Sequence, residues 1–285
     1  MKFLVTGASS YVAKYIIDHL LFRGHHVVGT SRSNPQIVNS KFKWIRHDLS
    51  VEPLQLKDQI DIIIHVAGLA WMGRNNSDYV QSNIIVTWNL LKTIEGLSPQ
   101  LIVYTSTRDV YGEVVDKVLT EKSNIINPIV YGHTKFVAES LIKETCNYLI
   151  LRLPSVIGIG THGWIRSIFL RLRENEEIKY KNAPFNNIIH ACEIPRVIEA
   201  FLLKKKDDNG TYLMGCSDHS TSEKVIIAMK KKMGSESKLI EIPSEHEFYT
   251  ISTDKVSEFY KSMTVESTVD VYVEEMQSMK RYLHK

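Results

Sequence analysis

Three side chains able to move a proton fall within one short stretch. Thr107 closes the apolar run LIVYTST, and Tyr131 and Lys135 stand four apart in YGHTK. On a helix that spacing puts both on one face. A phenol, an ammonium and a hydroxyl brought together make a proton donor for a carbonyl oxygen. Free tyrosine has a pKa of about 10, so Tyr131 must be tuned toward the working pH. A cation one turn away favours the phenolate, and Thr107 is placed to bond the carbonyl oxygen as charge develops on it. The rest of the chain then has two tasks: to hold a hydride donor beside that phenol, and a ketone between them.

The elements that must position this set alternate in type. KFLVT, HHVVGTSR, FKWIRHDLS, IDIIIHVAG, LIVYTS and YLILRLPSVIG read as six strands. Helices are expected after the first strand, stopped by Gly24, and over 53–59, 78–96 and 129–146. Alternation without hairpin chemistry implies right-handed crossovers and a parallel, doubly wound α/β sheet covered on both faces. After Gly158 the pattern changes: helices at 161–173, 194–204, 221–233 and 269–283, with FNNIIHACEI, GTYLMGC and KLIEIP as strands. The chain therefore divides into 1–158, a dinucleotide-binding domain, and 159–285, a smaller α/β substrate-binding cap. Residues 186–204 return to the main sheet, and a cleft lies between the parts.

Composition narrows the class. The 285 residues are 44% hydrophobic and 24% charged, with a net charge of +3. Those are ordinary globular values, far from the basic footprint of a nucleic-acid binder. Cys146, Cys192 and Cys216 have no paired spacing, so neither a metal site nor a disulfide framework is expected. No apolar run reaches spanning length and no signal pattern opens the chain, so the expectation is a soluble cytoplasmic protein.

TGASSYVA joins the first strand to the first helix. Free N–H groups and a positive helix end suit a pyrophosphate there. Gly7 keeps the first glycine of such a turn, while Ser10 and Ala13 replace the others with small residues. Ser9, Ser10, Tyr11 and Val12 supply the cradle. The second strand ends in Thr30, Ser31, Arg32 and Ser33 rather than in the acid that bonds the ribose of NAD. A guanidinium beside hydroxyls suits a 2′-phosphate, so NADP(H) is expected, with NAD as the alternative. Asp48 and Leu49 are placed to bracket the adenine. Ala67 and Gly68 give close passage, and Pro154, Ser155 and Val156 fall where the nicotinamide amide belongs. Trp71, Met72 and Arg74, with His162, Trp164 and Arg166, are candidates to border the substrate.

TGASSYVA, HVAG, NIIVTWNLL around Asn83, VYTSTRDVYG, YGHTK and LILRLPSVIGIG occur in one order. Together they resemble the extended short-chain dehydrogenase/reductase family, in its nucleotide-sugar branch. NNIIHACEIPRVIEAF, with Glu193 three residues after His190, resembles that family's later segment. The resemblance implies a Rossmann fold, a Ser/Thr-Tyr-Lys set matching Thr107, Tyr131 and Lys135, and Asn83 orienting the lysine through water. It also implies a homodimer through 78–96 and 129–146. The expected activity is NADPH-dependent 4-ketoreduction of a keto-deoxysugar carried on a nucleoside diphosphate. The alternative is a nucleotide-sugar 4-epimerase that keeps NAD bound. Resembling dehydratases follow the hydroxyl residue with Asp-Glu, whereas this chain has Arg108-Asp109. A catalytically silent NADP-binding sensor is a third class; such relatives lose the Tyr or the Lys, and both are present.

Overall fold

The most apolar, β-branched runs become strands buried along their whole length. In the computed structural model, β1 (Lys2–Thr6), β4 (Ile62–His65) and β5 (Leu101–Thr107) are almost continuously buried, as a sheet covered on both faces requires. All residues are described except 71–74, 146, 182–186, 205–207, 244–248 and 284–285, with backbone alone at 280–283.

In chain order, β1 leads into α1 (Tyr11–Phe22), β2 (His26–Ser31), β3 (Phe42–Arg46) and β4. Next come α2 (Asn76–Tyr79), a π-helical turn (Val80–Ile85), α3 (Val86–Thr93), β5 and a 3-10 turn (Arg108–Tyr111). They are followed by β6 (Val118–Leu119), α4 (Val130–Lys143), β7 (Tyr148–Leu153), β8 (Ser155–Ile157), α5 (Trp164–Arg173), β9 (Ile178–Lys181) and β10 (Ile188–His190). The chain ends with α6 (Glu193–Lys204), β11 (Gly210–Leu213), α7 (Ser222–Met233), β12 (Leu239–Ile242), β13 (Thr250–Ile251), α8 (Asp254–Ser257) and α9 (Val265–Leu283).

Seven strands form one sheet in the order β11-β7-β5-β4-β1-β2-β3. The pairs β1–β2, β1–β4, β2–β3 and β4–β5 are parallel. This is a doubly wound Rossmann sheet, and its strand order reverses between β1 and β4, where such folds open a ligand crevice at the carboxyl ends. By contacts the described chain forms two compact units. The first comprises Met1–Glu113, Ser123–Arg152 and Pro195–Tyr212; the second comprises Val114–Lys122, Leu153–Ile194 and Leu213–Lys285. Each has its own core. Leu4, Ile63, Leu90, Ile102 and Ile142 belong to the first, and Ile157, Phe169, Ile188, Val225 and Val269 to the second.

Several expected elements differ. Residues 53–59 are not helical: Pro53 opens the segment, and Leu54 N–H is tied to Thr93 Oγ1 at 2.8 Å instead of to a helical turn. The helix expected over 78–96 is interrupted by the π-helical turn. The sixth strand is two: at Pro154, which has no N–H to give to a ladder, the chain leaves the large sheet, and β8 pairs with β10. FNNIIHACEI therefore contributes its strand to that two-stranded sheet, and β11 is the later strand of the large one. β9 goes unnoticed in the sequence and pairs in parallel with β12.

Candidate active site

β5 ends on Thr107, whose hydroxyl caps the 3-10 turn that follows. Thr107 Oγ1 accepts from Asp109 N–H at 3.2 Å and donates to Asp109 Oδ2 at 3.2 Å. α4 packs against that turn through Gly132. A Cβ at this position would run into the backbone carbonyl of Asp109, so only glycine allows the approach. The preceding residue, Tyr131, is thereby set near enough to Thr107 for that hydroxyl to act on its phenol. Its ring lies 5.8 Å from that of Tyr79. Thr107 and Lys135 are buried, and Tyr131 is half-buried.

Burial pushes the Tyr131 hydroxyl well above the ordinary tyrosine range, and the Asp109 carboxylate adds to the rise. The bond from Thr107 and the Arg108 guanidinium oppose it. Lys135, expected to sharpen the phenol, is not among the principal groups acting on it. Its Nζ donates to the Thr105 carbonyl at 2.7 Å and stands 4.3 Å from the centroid of the Tyr104 ring. A buried ammonium needs an acceptor, and the β5 backbone provides it. Burial pulls Lys135 down to about 7, against the upward pull of Glu139.

Asn83 lies in the π-helical turn, a feature frequent at functional sites. Its Oδ1 accepts Leu69 N–H at 2.9 Å and its Nδ2 donates to Thr134 Oγ1 at 3.0 Å. Asn83 thus ties the loop after β4 directly to α4, one residue before Lys135. A chain of buried hydroxyls escaped the sequence reading. Thr6 Oγ1 accepts the N–H groups of Val66 and Ala67 at 3.2 and 3.1 Å and bonds His65 Nδ1 at 2.7 Å. His65 Nε2 bonds Thr87 Oγ1 at 3.0 Å, and Thr87 donates to Asn83 O. Because Thr87 spends its proton on Asn83, the network assigns the ring proton to Nε2. Burial, helped by Lys135, drives His65 down to about 3. The alternating polar residues at strand ends were the available signal.

At the cofactor end, Gly7 adopts φ +66°, and a Cβ there would lie 2.8 Å from Ala67 N. Ser10 caps α1, accepting Ala13 N–H at 3.2 Å. Ser9, Tyr11 and Val12 are partly accessible beside it. The first turn of α1 carries no acid of its own. This donor set fits a pyrophosphate. Ser31 is buried, and its hydroxyl donates to Ser33 O at 2.8 Å while accepting from Trp44 Nε1 at 3.1 Å. Arg32 beside it is exposed. Burial pushes the Asp48 carboxyl up, but two bonds from Ser50 and the charges of Arg32 and His47 outweigh it and hold it below its usual range. Leu49 is buried, and Ala67 and Gly68 follow β4.

Pro154, Ser155 and Val156 belong to the second unit, with Ser155 exposed at the start of β8. His162, Trp164 and Arg166 are exposed around the first turn of α5 in that unit. Trp71, Met72 and Arg74 lie outside the described residues, as does Cys146. His190 is buried 3.2 Å from Glu275; burial lowers it, but Cys192 and Glu275 raise it to about 9. Among the described residues no cluster of His, Cys, Asp or Glu is arranged to hold a metal, and no helix is long and apolar enough to cross a membrane.

Residues 3–211 match the model of the NAD dependent epimerase/dehydratase family. A UDP-glucose 4-epimerase of Halalkalibacterium halodurans is 27% identical over 180 residues, 58% of this chain and 54% of that protein. A UDP-glucose 4-epimerase of Mus musculus is 23% identical over 288 residues, 82% of each. The chain spans about half the length of most curated relatives it matches. The crystal structure of UDP-glucuronic acid 4-epimerase from Bacillus cereus in complex with NAD superposes with a TM-score of 0.81 at 22% identity, covering 98% of this chain and 99% of that one. MoeE5 in complex with UDP-glucuronic acid and NAD gives 0.82 at 18% identity, covering 98% and 100%. At such identities the likeness is one of fold.

Proposed function

Since the chain belongs to the NAD-dependent epimerase/dehydratase family, enzymes of the extended short-chain dehydrogenase/reductase type, we propose that it is a nucleotide-sugar 4-epimerase. The observation that carries this reading is the gathering of Thr107, at the carboxyl end of β5, with Tyr131 and Lys135, one turn apart on the helix packed against the following 3-10 turn. Tyr131 takes the proton of the sugar C4 hydroxyl and later returns it. Thr107 holds the phenolic oxygen in place. Lys135, able to change charge near neutral pH, is held by the Thr105 carbonyl and supplies a cation for the nicotinamide ribose. The turn from Gly7 to Val12 and the amino end of α1 hold the pyrophosphate; Asp48 and Leu49 border the adenine, and Ala67 and Gly68 leave room for the chain of the cofactor. The nicotinamide dinucleotide, when bound, supplies hydride acceptance and return.

The names of the curated relatives support epimerisation over net reduction. One observation favours a second reading, NADPH-dependent reduction of a nucleotide 4-keto sugar: exposed Arg32 follows β2, and no acid stands next to it in the sequence. The two are separated by one assay. An epimerase interconverts UDP-glucose and UDP-galactose, or the matching uronates, with no net change in nicotinamide absorbance. A ketoreductase consumes NADPH in proportion to the keto sugar supplied. A protein that binds the dinucleotide and does neither is a sensor.

Exposed Val80, Trp88 and Val137 lie along α2 to α4. This reading makes that surface the contact between two copies, and Trp88→Glu is expected to convert a dimer to a monomer in sedimentation.

A further inference from the structure

The donors and acceptors around the His65 ring run in one direction. A threonine hydroxyl has one proton and two acceptor positions. Thr6 Oγ1 fills both acceptor positions with the N–H groups of Val66 and Ala67, at 3.2 and 3.1 Å. Its proton therefore goes to His65 Nδ1, 2.7 Å away. The ring keeps its own proton on Nε2 and donates it to Thr87 Oγ1 at 3.0 Å, and Thr87 donates to the Asn83 carbonyl at 2.6 Å. Either end alone assigns this tautomer, and the two agree. A second proton on the ring would aim Nδ1–H at an oxygen whose lone pairs are both in use. Thr6, His65, Asn83 and Thr87 are all buried.

Each end of this chain holds a different part of the site. The Thr6 end fixes Ala67 N, the atom that a Cβ on Gly7 would meet at 2.8 Å, so it sets one wall of the phosphate turn. The Thr87 end fixes Asn83, whose Oδ1 accepts Leu69 N–H and whose Nδ2 donates to Thr134 Oγ1. Thr134 in turn donates to the Tyr131 carbonyl at 2.9 Å. The His65 ring also stacks on that of Tyr104, its partner across the β4–β5 ladder, with centroids 5.2 Å apart. Lys135 Nζ stands 4.3 Å from the same Tyr104 ring. We propose that His65 is a positioning residue that couples the dinucleotide turn to the helix carrying Tyr131 and Lys135, one ring nitrogen serving each side. The kinetic part of its test rests on the epimerase reading above; the amide-exchange part does not.

Two half-replacements separate the sides. In His65→Asn the amide oxygen stands in for Nδ1 and keeps the Thr6 bond, while nothing reaches Thr87. In His65→Gln the amide nitrogen stands in for Nε2 and keeps the Thr87 bond, while Thr6 loses its acceptor. We expect His65→Asn to lower kcat for epimerisation of UDP-glucose or UDP-glucuronate about tenfold to hundredfold, the cost of a small misplacement, with dinucleotide affinity unchanged. Exchange of the Leu69 amide proton, followed by NMR, should speed up in this variant alone. His65→Gln should raise Kd for NAD or NADPH, whichever the unaltered chain binds, about tenfold, the worth of one buried bond. It should keep kcat at saturating dinucleotide and speed exchange at Val66 and Ala67 alone. Equal losses on both sides in both variants would make His65 a residue of the fold as a whole and overturn the coupling. So would two variants matching the unaltered chain, or nitrogen NMR of the unaltered chain placing the ring proton on Nδ1. If Tyr131→Phe epimerises normally, the reading of the reaction falls, and the amide exchange of the two variants still decides the coupling.

Discussion

Glu139 and Arg152 form a two-pronged ion pair inside the first unit: Arg152 Nε donates to Oε1 at 3.0 Å and Nη2 to Oε2 at 2.6 Å, with both residues buried. Ser106 Oγ adds a bond to Oε1 at 2.5 Å, and the guanidinium lies 4.7 Å from the centroid of the Tyr111 ring. Ser106 precedes Thr107, and Glu139 is one turn past Lys135. The pair thus joins α4 to β7, and the Ser106 bond adds the end of β5. Glu139→Gln leaves a buried guanidinium without its carboxylate, a change expected to cost about 3–5 kcal/mol. A lowered midpoint in urea unfolding is the measurement; a midpoint equal to that of the unaltered chain contradicts it.

Lys135 binds fewer protons folded than unfolded between about 7, its folded value, and the ordinary value of about 10.4. Across that window the unfolded chain holds the extra proton, so stability rises with pH. Burial of the ammonium is destabilising below pH 7, and the penalty fades as pH climbs toward 10.4. Lys135→Met removes the group and flattens the rise by up to about 1.4 kcal/mol per pH unit. Unfolding free energies for both chains at several pH values between 7 and 10 would show parallel curves if Lys135 were ordinarily solvated.

Gly132→Ala drives a methyl group into the Asp109 carbonyl. Overpacking of this kind costs about 1–3 kcal/mol, and the 3-10 turn has to move away from α4. Turnover should fall by about 10²-fold, through kcat more than through dinucleotide affinity, because the phosphate turn at Gly7 is untouched. Loss of dinucleotide binding in equal measure would show that the glycine serves the whole fold instead of the Tyr131–Thr107 geometry.

Arg32 decides the choice of dinucleotide if its guanidinium meets a 2′-phosphate. Arg32→Asp should then weaken NADPH binding about tenfold to hundredfold, the worth of one or two charge-assisted bonds, and improve NADH, whose ribose hydroxyls an acid bonds. Titration calorimetry with both dinucleotides checks this, and equal affinities before and after the change would make Arg32 a solvated loop residue.

The sheet was legible because its strands are runs of buried apolar residues between helices of helical period, and a doubly wound parallel sheet follows from that alternation. Thr107, Tyr131 and the helix bearing Lys135 were legible too, since β5 and α4 carry their own local signals. The break at Pro154 was not, because an apolar strand continues on both sides of it, and only the partners available to Ser155–Ile157 send that piece to β10. Nor was the π-helical turn at Asn83: the bonds of its side chain to Leu69 and Thr134 come from segments far apart in the chain.

Residue types, spacing and resemblance by themselves identified the family and singled out Thr107, Tyr131, Lys135 and the turn at Gly7 as candidates. Tertiary structure alone decided what each group faces. It set Lys135 on the Thr105 carbonyl, His65 between two threonines as a neutral ring, and Asp109 on the Thr107 hydroxyl. A hydrogen bond or a displaced pKa depends on distances of a few ångströms between elements that the sequence places dozens of residues apart, and packing is what fixes those distances.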